Sequence, residues 1–155
     1  MLKILTKSFT ELSTKELYDI LQLRAEVFVV EQNCVYQDID GKDQKALHVI
    51  GFKNDKIVAY CRIFKSGDYF EMASIGRVVV AKNERRFGYG HVIFKQSIEA
   101  VRKYFNETSI NISAQTYLKK FYESHGFIQV GKGYLEDDIP HISMVKKQLN
   151  EQSKS

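Results

Sequence analysis

Two arginines and two glycines in the middle of the chain form a pattern that could bind a pyrophosphate. Arg85 and Arg86 precede Gly88 and Gly90, after a β-branched stretch over residues 75–80 and before an amphipathic helical pattern. The first N–H groups of a helix lack partners within it, and the helix dipole favours negative charge there. Glycine lets the main chain approach a phosphate closely, and arginine adds charged hydrogen bonds. This order of strand, basic turn and helix predicts an anion cradle.

The cradle differs from two common nucleotide-binding motifs. A GxGxxG dinucleotide pattern needs a third glycine where Ile93 stands, and no Gly-Lys-Ser/Thr of a Walker loop follows. Taken in isolation, the two glycines are equally typical of a simple helix-entry turn.

A cluster of three acidic residues and a histidine near the end of the chain could bind or deprotonate a cationic amine. Glu136, Asp137 and Asp138 precede a final strand that carries His141. Such a cluster could bind the amine, accept its proton directly or through water, or be a solvated turn. The residues themselves leave these three interpretations open.

Hydrophobic periodicity predicts a single α/β domain that would position both clusters. A first helix begins at Ser13, with Glu16 completing a capping box. Strands are predicted over residues 48–52, 56–64, 75–80, 109–114, 127–130 and 141–146, with helices after Gly90 and over 116–125. This order predicts a mixed sheet flanked by helices within residues 1–148, followed by a polar tail over residues 149–155.

Composition and charge narrow the function classes further. The 155 residues carry 23 Lys+Arg against 19 Asp+Glu, a net charge of +4. This excess favours anionic ligands only weakly, and it is too small and too dispersed for nucleic-acid binding as the main function. No apolar run approaches the length of a membrane span, and the N-terminus lacks the features of a signal peptide, so we expect a cytoplasmic protein.

Metal binding is not expected. Cys34 and Cys61 stand singly in apolar stretches, which indicates buried reduced thiols rather than a zinc site. The aspartate-rich run over residues 38–43 superficially resembles a calcium loop, but its Gly41 and the following Val49 do not match an EF-hand. The run could still order a loop over a substrate site.

Two motifs together resemble the GNAT N-acetyltransferase superfamily. The first is Arg85-x-x-Gly88-x-Gly90 after a valine-rich strand, and the second is residues 115–127, where a Phe-Tyr pair is followed by Gly-Phe. A narrower likeness to the ElaA-like subfamily comes from three further segments, which are residues 23–32, the Asp38-x-Asp40 loop before His48, and residues 134–141.

The resemblance implies a GNAT-like splayed sheet that binds acetyl-CoA beside its central strand. Val78 and Val80 would offer backbone groups to the pantetheine arm, and residues 85–91 would hold the pyrophosphate. Gln115 stands where the family more usually carries Asn. The residues that the resemblance assigns to the cosubstrate are Val78, Val79, Val80, Arg85, Arg86, Phe87, Gly88, Tyr89, Gly90, His91 and Gln115.

The resemblance also implies direct attack of an amine on the thioester. Tyr122 matches the family's usual general acid, although a core aromatic is the alternative interpretation. In the resembled fold, His141 and Glu136 face the thioester from the acceptor side and are the preferred candidates for the base. Glu31 and His48 are alternatives, and a structural role is the simpler interpretation of His48. The acceptor would be a small-molecule or peptide primary amine.

Two other functions remain open. Arg24-x-x-x-Phe28 also resembles the start of the acyl-homoserine-lactone (autoinducer) synthases, but Ser74 stands where those enzymes carry Glu. The other function is a non-catalytic acyl-CoA-binding module. Arg24 itself could form a buried ion pair or shape the acceptor site.

Overall fold

Residues 1–147, which the computed structural model describes, form seven strands and three α-helices. In chain order the elements are β1 (Lys3–Ser8), α1 (Thr14–Arg24), β2 (Leu47–Lys53), β3 (Lys56–Phe64), β4 (Ala73–Val80), α2 (Tyr89–Phe105), β5 (Ile110–Gln115), α3 (Lys119–Glu123), β6 (Ile128–Glu136) and β7 (Ile139–Lys146). The strands form one sheet in the order β1-β2-β3-β4-β5-β7-β6. The β4–β5 pair is parallel and the other pairs are antiparallel. The predicted tail, residues 149–155, lies outside the described residues.

The first helix begins where its capping box predicts. The Ser13 hydroxyl accepts a hydrogen bond from the Glu16 N–H at 3.0 Å, and the Glu16 carboxylate accepts one from the Ser13 N–H at 2.9 Å. The helical backbone then continues past α1 as a π-helical segment, Ala25–Glu31. This segment carries the end of the helix towards the centre of the sheet.

Helices cover both faces of the sheet, and alternation along β3 divides the core between them. Ala59, Cys61 and Ile63 pack with residues of α2 on one face. Tyr60 packs on the other face with Ile20 and other residues of α1. Both Cys34 and Cys61 are free and buried, as predicted. No helix within residues 1–147 is long and apolar enough to span a membrane.

The α/β prediction is confirmed, but two strands differ from it. β1 was not predicted, since its short, partly exposed Lys3–Ser8 segment lies at the sheet edge and has little hydrophobic pattern. β6 is longer than the predicted 127–130 and runs to Glu136, because it pairs with β7 on both sides of an irregularity between Val130 and Tyr134. Nearly all of this strand is exposed, so its sequence lacks the alternating hydrophobic pattern that predicts a strand.

Candidate active site

The sheet splits between its two parallel strands. β4 pairs with β5 only through Ala73–Ile110 and Ser74–Asn111. Beyond this point the strands diverge and enclose a cavity of about 500 Å³. The predicted site residues that line this cavity are Val78, Val79, Val80, Arg85, Gly88, Gly90, His91, Gln115, Tyr122, Glu136 and His141.

A β-bulge bends β4 where it forms the cavity wall. Arg62 of β3 pairs with Gly76 and Tyr60 pairs with Val79, so Arg77 and Val78 together stand opposite one residue of β3. Arg77 has φ 49°, in the left-handed region that non-glycine residues seldom adopt. Nothing in the sequence pattern signals this conformation.

The predicted anion cradle lies at the start of α2. Gly88 has φ 75°, a left-handed conformation that a side chain would strain, and α2 begins at the next residue. His91 lines the cavity, and its Nδ1 lies 2.9 Å from His125 Nε2. The backbone geometry therefore fits the predicted phosphate contact at the helix N-terminus.

Three side chains assigned to the cosubstrate lie outside the cavity lining. The Arg86 guanidinium lies 4.5 Å from the centre of the Phe87 ring, and that ring also contacts Lys53 and Tyr89. Tyr89 is buried in this group. The Phe87 ring thus contacts both Arg86 and Tyr89, and the assignment of these three residues to the cosubstrate stays a prediction.

The end of the first helical region bridges the two arms of the split. Glu31 forms a two-bonded ion pair with Arg85, at 2.6 and 2.8 Å, and Arg85 Nε donates to the Val80 carbonyl at 3.2 Å. The hydrogen bond and charge of Arg85 lower the pKa of Glu31. On the other arm, the side-chain amides of Gln32 and Gln115 lie 3.3 Å apart. Sequence reasoning missed both contacts, because each joins residues far apart in the chain.

Tyr122 belongs both to the core and to the cavity wall. It is 6% exposed, and its ring makes an edge contact with Phe94 at a centroid distance of 5.1 Å. Burial raises the pKa of the Tyr122 phenol, so at neutral pH the group keeps its proton. A protonated phenol beside the cavity is the form that can donate a proton.

The opposite wall brings together His141 and Glu136. His141 Nδ1 lies 2.7 Å from the Ile139 carbonyl, which can only accept, so Nδ1 is the donor and the neutral tautomer that fits this bond has its lone pair on Nε2. Nε2 lies 3.9 Å from Glu136. The Ser113 hydroxyl donates to Glu136 at 3.1 Å and accepts from Tyr134 at 2.5 Å. This network orients a carboxylate and an imidazole at the cavity.

The two remaining acids form the turn between β6 and β7. Asp137 and Asp138 have φ 52° and 64°, the two positive values of a tight hairpin turn. Asp137 lines the cavity, and its carbonyl accepts a hydrogen bond from Cys34 Sγ at 3.6 Å. Asp138 is exposed and is not part of the lining. The predicted acidic cluster is thus divided between the site and the solvent.

The structure removes His48 from the candidate bases. Its Nδ1 lies 2.6 Å from the Tyr60 hydroxyl and its Nε2 lies 3.0 Å from the Asp43 carbonyl. The side chain is 1% exposed and does not line the cavity. Burial lowers the pKa of His48, so it stays neutral. Its structural interpretation is therefore the correct one.

Arg24 forms a buried ion pair, which is one of its two interpretations from the sequence, and belongs to a larger buried network. The network consists of Arg24, Arg62, Arg77, Asp38, Asp40 and Asp43. It fixes the aspartate-rich loop to α1, β3 and β4. Because arginines face each of these aspartates, the loop offers no open set of carboxylates, and no group of metal ligands is found within residues 1–147.

Comparison with known proteins gives a consistent result. The sequence model described as "Acetyltransferase (GNAT) domain" matches residues 11–148. Protein ElaA of Escherichia coli (strain K12) is 46% identical over 140 residues, which cover 89% of this chain and 92% of ElaA. The crystal structure of Escherichia coli ElaA superimposes with a TM-score of 0.88 at 43% identity, covering 95% of this chain and 100% of that chain. An acyl-CoA N-acyltransferase from Pseudomonas aeruginosa gives 0.87 at 38% identity, covering 93% and 99%.

Proposed function

The chain belongs to the GNAT acetyltransferase family, and to its ElaA-like part, and from this premise we propose that it transfers an acetyl group from acetyl-CoA to a primary amine. The observation that carries the proposal is the split between β4 and β5, whose cavity is lined by the basic glycine-containing turn before α2, by Tyr122 and by the Glu136–His141 pair. We place the reaction in the cytoplasm, where the free cysteines would stay reduced.

The cosubstrate would bind along the β4 arm. Backbone groups of the bulged strand over residues 78–80 would meet the pantetheine arm, and the N–H groups around Gly88 and Gly90 would meet the pyrophosphate. Arg85 would add charged hydrogen bonds once it turns from Glu31 towards the phosphates. Gln115, at the end of the β5 arm, would lie across the cleft from this contact.

The reaction needs one proton acceptor and one proton donor. His141 Nε2 would remove a proton from the ammonium group of the acceptor, and the neutral nitrogen would attack the thioester carbon. As the C–N bond forms, the C–S bond breaks, the electron pair stays on sulfur, and the nitrogen releases its second proton to solvent to give the neutral amide. The Tyr122 phenol would then protonate the leaving thiolate. Glu136 would stabilise the positive charge that develops on His141.

The acceptor proposed here carries a positive charge near its reacting nitrogen. Glu136 and Asp137 line the same wall of the cavity, and the ion pairs of residues 1–147 join neither carboxylate to a lysine or arginine. Carboxylates without a cationic partner attract an ammonium group. A small amine or a peptide N-terminus would fit this chemistry.

An acetylation assay with a panel of amines tests the proposal. Purified protein, acetyl-CoA and each amine are monitored by thiol release, and products are identified by mass spectrometry. We expect at least one acetylated amine, and Tyr122→Phe should reduce turnover of that amine by roughly 10²–10⁴-fold with little change in acetyl-CoA affinity. Coenzyme A binding without turnover of any amine would favour the non-catalytic binding module instead.

A further inference from the structure

We propose that Asp38 is a positioning residue, which holds Arg77 in the conformation that bends β4 and thereby shapes the acetyl-CoA cleft that Asp38 itself does not line. The inference rests on the proposed function for the identity of the ligand. It concerns a side chain outside the cavity lining, acting through a strained residue within it.

The backbone of Arg77 is strained. Its φ of 49° is unfavourable for any residue with a Cβ atom, and a conformation of this kind persists only where the surroundings impose it. The bulge that contains Arg77 directs the following residues, up to Val80, along the cavity. A relaxed β4 would present different backbone groups to a ligand.

Contacts with Asp38 impose this conformation on Arg77. Arg77 Nε lies 2.7 Å from Asp38 Oδ1 in an ion pair that is not a hydrogen bond, and Arg77 Nη2 donates to the Asp38 carbonyl at 2.9 Å. Asp40 is more distant, at 3.5 Å from Nη2. Asp38 therefore makes the two short polar contacts of the Arg77 guanidinium.

Asp38 is itself immobilised by its neighbours. Arg24 Nε donates to Asp38 Oδ2 at 2.9 Å, and Arg24 Nη2 donates to its carbonyl at 2.9 Å. The Tyr36 hydroxyl donates to Asp38 Oδ1 at 2.7 Å. The side chain of Asp38 is only 8% exposed, and that of Arg24 is fully buried. Arg77 is thus tied to α1 through the carboxylate and the backbone carbonyl of one immobilised residue.

A matched pair of variants separates the backbone conformation from the arginine side chain. Arg77→Ala and Arg77→Gly both delete the guanidinium, but only glycine adopts a positive φ without strain. Coenzyme A binding is measured by calorimetry. We expect roughly tenfold weaker binding by Arg77→Ala and, for Arg77→Gly, an affinity within about twofold of the unmodified protein.

A second pair separates Asp38 from the rest of the network. Asp38→Asn and Asp43→Asn each remove one buried carboxylate that pairs with Arg24, but only Asp38 contacts Arg77. Coenzyme A affinity should fall in Asp38→Asn, stay unchanged in Asp43→Asn, and recover when Asp38→Asn is combined with Arg77→Gly. The recovery is a readout that a general loss of stability would not give.

The outcomes distinguish this inference from the proposed function. If the unmodified protein does not bind coenzyme A, the proposed function is contradicted and the inference with it. If the unmodified protein binds but Arg77→Ala and Arg77→Gly have equal affinities, the inference alone is overturned. This second result can be obtained even where Asp38→Asn does not fold.

Discussion

The two clusters of carboxylates in this protein differ in what faces them. Asp38, Asp40 and Asp43 are held by three arginines in a buried network, with most nitrogen–oxygen distances between 2.6 and 2.9 Å. Glu136 and Asp137 are exposed at the other cluster, where Glu136 contacts a serine hydroxyl and a histidine.

This difference separates a cluster that is paired within the fold from one that, in the proposed function, would meet the substrate. A buried charge is tolerated only when it is paired, so the arginines and aspartates of the network are matched to one another and leave no charge for a substrate. The acids at the cavity remain hydrated and can exchange water for an ammonium group. The first cluster should therefore affect stability, and the second should affect catalysis.

The largest effect on stability is expected from Asp43→Asn. Arg24 and Arg62 both bind the Asp43 carboxylate, and this change removes its charge. Breaking a buried ion pair in this way lowers the free energy of unfolding by about 3–5 kcal/mol. Urea unfolding measures the change. Asp138→Asn, the same substitution in the exposed turn, is the control and should lie within about 0.5 kcal/mol of the unmodified protein. Similar losses in the two variants would contradict the comparison.

The Asp43 contribution should also depend on pH. Burial alone would raise the pKa of Asp43, but its bonds to Arg24 and Arg62 lower the pKa overall. Its stabilising effect is then complete above its unfolded pKa of about 3.9 and is lost as the pH falls towards the folded value. The unmodified protein should lose stability more steeply than Asp43→Asn in this acidic range.

The two buried histidines give the next largest contrast. His141→Gln should lower kcat by roughly 10²-fold with a small change in stability, because His141 lines the cavity and its Nε2 is the proposed base. His48→Gln should lower stability and change kcat little, because both ring nitrogens of His48 are bonded within the core. Steady-state kinetics with an identified amine measure kcat of both variants, and thermal unfolding measures their stability. Full activity in His141→Gln would move the role of base to Glu136 or Glu31.

The sequence predicted those parts of the site that depend on local pattern. Gly88 marked the turn before α2, and the Ser13 capping box marked the start of α1. Both signals reflect backbone requirements that particular residue types meet within a few positions. They could therefore be recognised without knowledge of the sheet.

The parts that were missed depend on residues distant in the chain. The Glu31–Arg85 ion pair spans 54 positions, and neither residue type indicates the other as its partner. The strained φ of Arg77 is likewise invisible, because an arginine in a β-branched run predicts ordinary extended backbone. Tertiary contacts with Asp38 override that local preference.

A smaller effect is expected when the acids of the cavity are neutralised. Glu136→Gln combined with Asp137→Asn keeps the shape of both side chains but removes two negative charges from the wall that would face the amine. KM for a cationic amine should rise roughly tenfold, with little change for acetyl-CoA, since exposed charges contribute about 1 kcal/mol or less each. Steady-state kinetics test this, with an uncharged amine analogue as the control. Unchanged KM values would make the cluster a solvated turn.

The smallest effect is expected at Glu31, which combines features of the two clusters. It lines the cavity but already has an arginine partner, and a pyrophosphate would compete with it for Arg85. Glu31→Gln should therefore bind coenzyme A more tightly. The gain should be at most about fivefold, because the pair is partly exposed and such pairs contribute about 0–1 kcal/mol.

Calorimetry with coenzyme A measures this gain, and Glu26→Gln is the matched control on the same helical segment. Glu26 is exposed and does not line the cavity, so its neutralisation should leave the affinity unchanged. Tighter binding by Glu31→Gln alone would mean that Arg85 must leave the carboxylate to reach the phosphates. Weaker binding would mean instead that Glu31 holds Arg85 in its binding position. The Glu31–Arg85 ion pair would then have a structural role, like the ion pairs of the buried network.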